Sequence, residues 1–232
     1  MIYFNGISIM NAADVMIEDI RVSPIQLTAV ARPRAIAFGA DFVRMRGGSR
    51  TVTITFALID ENRDSRQTKL RKIIQWARSE QPGRLILPHY NNLYLECICT
   101  ELPDPSMRQW WENNLRLVFT TFENPYWNSI QDNSVECGTE FIAKGDAPPL
   151  MRIENTLYAA SSDQTYSDGE NTMTFSTIPA GKLVIDLNQQ TATVDGATIM
   201  QNYEFGSSFL IPKTGANNIT GNGVVKWRER WE

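Results

Sequence analysis

Few residues in this sequence have types and spacings that could do chemistry. His89 is the lone histidine. An imidazole can act as a general base, but His89 stands beside Pro88 at a strand end with no obvious nucleophile. Cys97 and Cys99 lie two apart in LYLECICTEL and with His89 could begin a zinc site. Such sites need four ligands at recognisable spacings. The two thiols instead share a strand face with Leu93 and Leu95, where free cysteine packs as a small hydrophobe. Asp186 interrupts the apolar run LVIDLN. It could pair with a second carboxylate for glycoside hydrolysis, or it could satisfy the bend at Asn188–Gln190. The sequence contains no G-x-S-x-G elbow, Walker loop, H-E-x-x-H pair or Rossmann glycine pattern. No catalytic, metal-binding or cofactor-binding residue is therefore expected, and no cofactor.

Two groups could bind rather than react. Arg44, Arg46 and Arg50 flank Gly47-Gly48 and could grip phosphates. The near-neutral half around them, with no interleaved aromatics, argues more for subunit–subunit salt bridges or a solvated hairpin. Trp227 and Trp231 lie four apart in VVKWRERWE, on one strand face with Val225. Exposed, they would form a platform for sugar rings; buried, they would close a sandwich.

These residues need elements to hold them, and strand signals dominate. Asn5-Gly6 in IYFNGISI accepts the positive φ of a tight hairpin. TVTITFALI puts Val52, Ile54, Phe56 and Leu58 on one face and threonines on the other. DFVRMRGGSR offers a strand, a Gly47-Gly48 turn and a return. One helix is clear in DSRQTKLRKIIQWARSEQPG: Asp64 or Ser65 is a cap candidate, and Leu70, Ile73, Ile74 and Ala77 form the apolar stripe. Arg66, Lys69, Arg71, Lys72 and Arg78 are assigned to the opposite face, and Pro82-Gly83 ends the segment. From residue 131 onward the pattern is short strands between turn signals such as Gly145-Asp146, Pro148-Pro149 and Asp195-Gly196, with no helix. This is the signature of a small β-sandwich.

The chain has 232 residues and 26.3 kDa, with 42% hydrophobic and 21% charged residues, as in an ordinary globular protein. No stretch reaches the roughly 20 apolar residues needed to span a bilayer. MIYFNGISIM lacks the features of a secretory leader. Three cysteines are too few, and of the wrong parity, for a disulfide framework, and the chain is expected to fold in a reducing cytoplasm. Residues 1–130 hold 15 Lys+Arg against 13 Asp+Glu, while residues 131–232 hold 7 against 13. The shift follows FENPYWNS, where Pro125 must end a strand and Tyr126 and Trp127 carry large apolar area beyond it. Two domains are expected, 1–130 and 131–232, joined at Pro125, Tyr126 and Trp127.

In this order, several stretches resemble the distal tail protein family of long-tailed, non-contractile bacteriophages and related prophages. They are the opening MIYFNGISI, Gly47-Gly48 leading into TVTITFAL, the helix and strand TKLRKIIQWARSEQPGRLIL, and FENPYWNS, with Asn124 where the family carries an acid. GKLVIDLNQQTATVDG and LIPKTGANNIT complete the set. The resemblance implies a mainly β chain with one prominent helix: a tail-tube-like first domain, then a galectin-like or carbohydrate-module-like β-sandwich. It implies a virion structural protein without catalysis, made in the host cytoplasm and placed at the tail tip. Its first domain would form a homo-oligomeric ring, a hexamer in the family, around a channel through which DNA passes as transient cargo. Its partners would be the tail tube protein and tail-tip or receptor-binding proteins, with no membrane span. Arg44, Arg46 and Arg50 become candidates for the ring interface or channel, and Trp227 and Trp231 for glycan contact. A carbohydrate-binding module in host recognition, or another tail-tube or baseplate component, is the alternative.

Overall fold

A computed structural model describes residues 1–33, 40–60, 62–103 and 115–232. Strands dominate the described residues, and one helix is longer than a single turn. The chain divides into two compact units, Met1–Trp127 with Glu232, and Asn128–Trp231.

The first unit opens with β1 (Tyr3–Phe4) and β2 (Ile7–Ser8), paired antiparallel across Asn5-Gly6. Both turn residues have positive φ, 50° and 78°, as the tight hairpin demands. After the one-turn helix α1 (Ile9–Ala12) come β3 (Val15–Val22), β4 (Leu27–Pro33), β5 (Ala40–Gly47) and β6 (Thr51–Leu58). The long helix α2 (Arg63–Ala77) precedes β7 (Gly83–Ile86), β8 (Leu93–Glu101) and β9 (Leu115–Thr120). Antiparallel pairing runs β3–β6–β9–β8–β7–β1–β2. Along β8 the partner changes, with Leu95 and Cys97 facing β7 and Ile98 and Cys99 facing β9.

Several local readings are corrected. β5 does not fold back onto β6 across Gly47-Gly48; it pairs with β4 in a separate ribbon, and β6 lies between β3 and β9. The cap of α2 is Asn62, whose side-chain oxygen accepts from the Asp64 amide at 2.9 Å, so the helix begins before either predicted cap. The apolar stripe of α2 buries Leu70, Ile73 and Ala77 as its spacing requires. Arg66 is buried with them rather than solvated, because it stands one turn before Leu70 on the same stripe. Phe4, Trp76 and Phe119 meet edge-on or tilted, with ring centroids 5.1–6.2 Å apart. The Trp76 indole N–H donates to the Ile7 carbonyl at 2.9 Å, which seats the hairpin on the helix.

In the second part of the chain β10 (Trp127–Ser129) is followed by β11 (Asn133–Glu136), β12 (Glu140–Ala143) and β13 (Ala147–Leu157). Next are β14 (Ser161–Ser167), β15 (Thr172–Ile178), β16 (Gly181–Asp186), β17 (Thr191–Val194) and β18 (Ala197–Thr198). A 3-10 turn at Met200–Asn202 leads to β19 (Gly215–Asn218) and β20 (Val224–Trp231). One antiparallel sheet runs β18–β17–β16–β13–β20–β11. The β14–β15 hairpin and the antiparallel pair β12–β19 supply the facing layer. Between them lie Ile153, Leu183, Ile185 and Val225 from the sheet, and Phe141, Tyr166, Met173 and Phe175 from the facing layer. This is a β-sandwich core, each strand contributing alternate residues.

Pro148 and Pro149 do not form a turn before the strand but lie within β13. The β13–β20 register shifts between Ala147 and Leu150, and an irregularity of this kind tolerates residues without an N–H.

Candidate functional site

The chemistry-bearing residues are dispersed by the fold. His89 is exposed in the turn between β7 and β8. Cys97 is fully buried on the Leu95 face, and burial pushes its thiol well above the ordinary range. Asp186 ends β16 and accepts at 2.9 Å from the amides of both Asn188 and Gln189, the arrangement that satisfies a bend. Among the described residues, no three of His, Cys, Asp and Glu converge in a group able to hold a metal ion. No helix of the described residues is long and apolar enough to cross a membrane.

The three arginines are separated. Arg44 and Arg46 stand opposite Val30 and Thr28 in the β4–β5 ribbon. Arg50 immediately precedes β6 and, like Val52, Ile54 and Phe56, belongs to its inward alternation. Its backbone is tied to Thr121: the Arg50 amide donates to Thr121 Oγ1 at 2.8 Å, and the Thr121 amide donates to the Arg50 carbonyl at 2.9 Å. Arg50 is 4% exposed, and its Nε and Nη1 have no hydrogen-bond partner among the described residues. Burial lowers its pKa, opposed by Glu232, Tyr90 and Tyr126. Arg50 is thus a buried cation of the first unit in this chain, not a solvated arginine beside a glycine turn.

At FENPYWNS, β9 ends at Thr120 and the chain bends through Phe122–Glu123. Asn124 Oδ1 accepts from the Tyr126 amide at 3.2 Å, so its side chain stabilises the turn around Pro125. Pro125 is buried and Tyr126 half-buried. Trp127 is 2% exposed and stacks on Tyr90, with centroids 4.3 Å apart and planes at 21°. The aromatic run beyond the proline is spent on a ring stack in the first unit.

On β20, Trp227 takes the inward alternation with Val225 and stacks on Phe141 at 4.3 Å. With 8% of its surface exposed, it fills the sandwich and leaves no face for a sugar. Trp231 is half-buried at the strand end.

An ionic lattice on the outer face of the second unit's sheet was not foreseen. Glu154 Oε1 accepts from Arg152 Nε at 2.8 Å, and its Oε2 lies 3.1 Å from Lys182 Nζ and 3.0 Å from Lys226 Nζ. Asp132 accepts from Arg152 Nη2 at 2.9 Å and from Arg228 Nε at 2.7 Å. Burial raises the Glu154 pKa, but the hydrogen bonds from Lys226, Arg152 and Lys182 prevail and bring it down to about 2. The only local signal is charge at i and i+2 in Arg152/Glu154 and Lys226/Arg228. It marks an outward face and says nothing of who pairs with whom. Glu154 is shared among Arg152, Lys182 and Lys226, and Asp132 between Arg152 and Arg228, so each of these cations stands in an ion pair and the lattice offers polar contact.

No protein-family model matches the sequence, and no curated protein matches it. Among solved structures, the Dit (gp 19.1) protein of phage SPP1, described as a paradigm of the hub adsorption apparatus in phages infecting Gram-positive bacteria, superimposes with a TM-score of 0.76. The superposition covers 100% of this chain and 98% of that one at 10% identity. The phage P2 baseplate in its activated conformation, with Ca or with Sr, gives TM-scores of 0.45 and 0.46 at 11% identity over 93% of this chain and 90% of that one, too low to bear weight. End to end, this chain has the fold of the SPP1 Dit hub protein: mainly β with, among the described residues, a single long helix.

Proposed function

We propose that the chain is a structural protein of a phage virion, a distal tail hub. Copies close into a ring that joins the tail tube to the adhesion device and leaves a channel for DNA. The observation that carries this reading is the end-to-end likeness to the SPP1 hub protein, which leaves almost no part of either chain unmatched. The first unit forms the ring and the second projects as the peripheral sandwich that meets tail-tip proteins.

Physical features support the assignment. A head-to-tail ring needs surfaces that join one copy to the next with a rotation that closes. The first unit has a sheet ending in the two-residue strand β2, a separate β4–β5 ribbon, and exposed Ile7, Met10, Met16 and Ile59. Strand edges and exposed apolar side chains of this kind invite pairing with another chain. The outer alternation of β6 and its neighbours sets Thr53 and Thr55 beside Arg21 and Arg116, which are paired with Asp19 and Glu101, a mixed face rather than a uniformly basic groove that would grip phosphates. A ring of identical arms also turns weak single attachments into strong collective ones.

Light-scattering mass across a concentration series, with negative-stain microscopy of the same sample, tests the reading. The expected result is a closed ring with a central opening. A strictly monomeric species at every concentration, with no rings in the micrographs, refutes it.

A further inference from the structure

The dipeptide Asn-Gly occurs at Asn5-Gly6 and again at Asn222-Gly223, and the fold treats the two differently. Asn5 is tied down: its amide donates to the Arg84 carbonyl, and its Oδ1 accepts from the Arg84 amide, each at 3.0 Å. Asn222 lies in the bend that feeds β20 and is exposed. Among the described residues its carboxamide makes no hydrogen bond, and the Gly223 amide donates to no acceptor, although the Gly223 carbonyl accepts from the Cys137 amide at 2.9 Å. The glycines on either side are obligatory. Gly223 has a φ of 113°, and a Cβ there would stand 2.5 Å from the Glu154 carbonyl oxygen and 2.9 Å from Asn155 Cβ. Gly221, with a φ of 139°, lies against the Tyr166 ring. Close approach and positive φ both require glycine. The same requirement leaves the Gly223 nitrogen with no side chain to shield it from Asn222.

We propose that Asn222 is a site of spontaneous covalent modification, in which the Gly223 nitrogen closes on the Asn222 side chain and converts it to aspartate or isoaspartate. The nitrogen gives its proton to water and attacks Asn222 Cγ. A C–N bond forms, the Cγ–Nδ2 bond breaks, and Nδ2 leaves as ammonia, giving a cyclic imide. Water then opens the imide. Addition at Cγ restores the ordinary main chain and leaves an aspartate; addition at the main-chain carbonyl carbon leaves the chain running through Cγ, an isoaspartate. Nothing is oxidised or reduced, and the co-reactant is water, which an exposed bend meets freely. At Asn5 the same closure must first release the carboxamide from the Arg84 amide, so it waits on local opening. The product changes its surroundings. Asn222 lines an open cleft of about 810 Å³ together with Glu136, Glu154, Lys182 and Lys226. A new carboxylate there competes with Glu154 for the ammoniums that Glu154 holds at 3.1 and 3.0 Å. The isoaspartate form also lengthens the main chain between the Ser167–Thr220 bridge and the first rung of β20.

The full-length chain would be incubated in heavy-oxygen water at mildly alkaline pH, folded and in denaturant, and its peptides sequenced by mass spectrometry to locate newly formed, labelled acids. In the folded protein, label at Asn222 should appear roughly tenfold faster than at Asn5, the protection that one or two hydrogen bonds provide. In denaturant the two rates should converge, because both sites are then the same dipeptide in an open chain. Asn222→Gln, at an exposed position, should gain no label there, since the longer side chain closes its ring far more slowly. No label at Asn222 in the folded protein, native rates that are equal or faster at Asn5, label confined to Asn217 or Asn218, or a gap that persists in denaturant overturns the proposal. The chemistry is independent of ring assembly, so its failure leaves the hub reading untouched.

Discussion

Replacing Glu154 with glutamine keeps the shape of the side chain and removes the charge that three cations share. In the folded chain this carboxyl titrates at about 2 against an ordinary 4.5. At about 1.36 kcal/mol per pH unit that difference corresponds to about 3 kcal/mol. Lys182, Arg152 and Lys226 are about a third or more exposed, so water and salt screen the lattice, and about 1–2 kcal/mol is the better expectation. The sign follows from the direction. Because folding depresses the pKa, the stabilisation is complete above pH 4.5 and is lost as the pH falls toward 2. Glu154→Gln should therefore melt below wild type by roughly 2–8 °C at neutral pH. The gap should narrow through that acid window and close near its lower end, where wild type is itself protonated. Calorimetry or circular-dichroism melts of both proteins over the pH series provide the assay. A gap that persists unchanged at the acid end would show that the loss comes from packing, not charge. Equal melting at neutral pH would show that the lattice contributes nothing.

Two further outcomes are expected. Trp127→Ala removes a buried indole from its stack on Tyr90 and should cost about 3–5 kcal/mol in chemical denaturation; a loss below about 1 kcal/mol would mean that the junction aromatics are not structural. In the native protein Cys97 should resist alkylation until the chain unfolds, since it is fully buried with its thiol pKa raised. Cys99 and Cys137, pushed only to about 11 and partly accessible, should react slowly at high pH. Mass spectrometry of the labelled protein distinguishes the three, and Cys97 labelled as fast as the others would contradict the packing.

Sequence reading and structure agree most closely where a conformation depends on neighbours in the chain. Asn5-Gly6 and Asp195-Gly196 take the positive φ that their turns require, because short polar side chains and glycine tolerate it alone. The alternation of TVTITFAL and the spacing of Leu70, Ile73 and Ala77 fix which sides face inward wherever those elements pack. Even the burial of Arg50 was legible, since it falls on the Val52–Ile54–Phe56 phase; its charge drew it wrongly to the surface. The polar strand Ser161–Ser167, SSDQTYS, shows no apolar alternation beyond Gln164 and Tyr166 and becomes a strand through its ladder to β15.

Composition, the Asn5-Gly6 and Asp195-Gly196 turns, periodicity and the mainly β class were thus settled by the amino-acid sequence, because each follows from local sterics and from the need to hide an apolar face. Only the tertiary structure decided that β5 pairs with β4 and not β6. It alone spent Trp227 on the core, and it alone brought Asp132, Arg152, Glu154, Lys182, Lys226 and Arg228 into one lattice beside a cleft. Those outcomes depend on which distant segments close onto each other. Long-range closure is a competition among whole strands, and no window of neighbouring residues records who wins it.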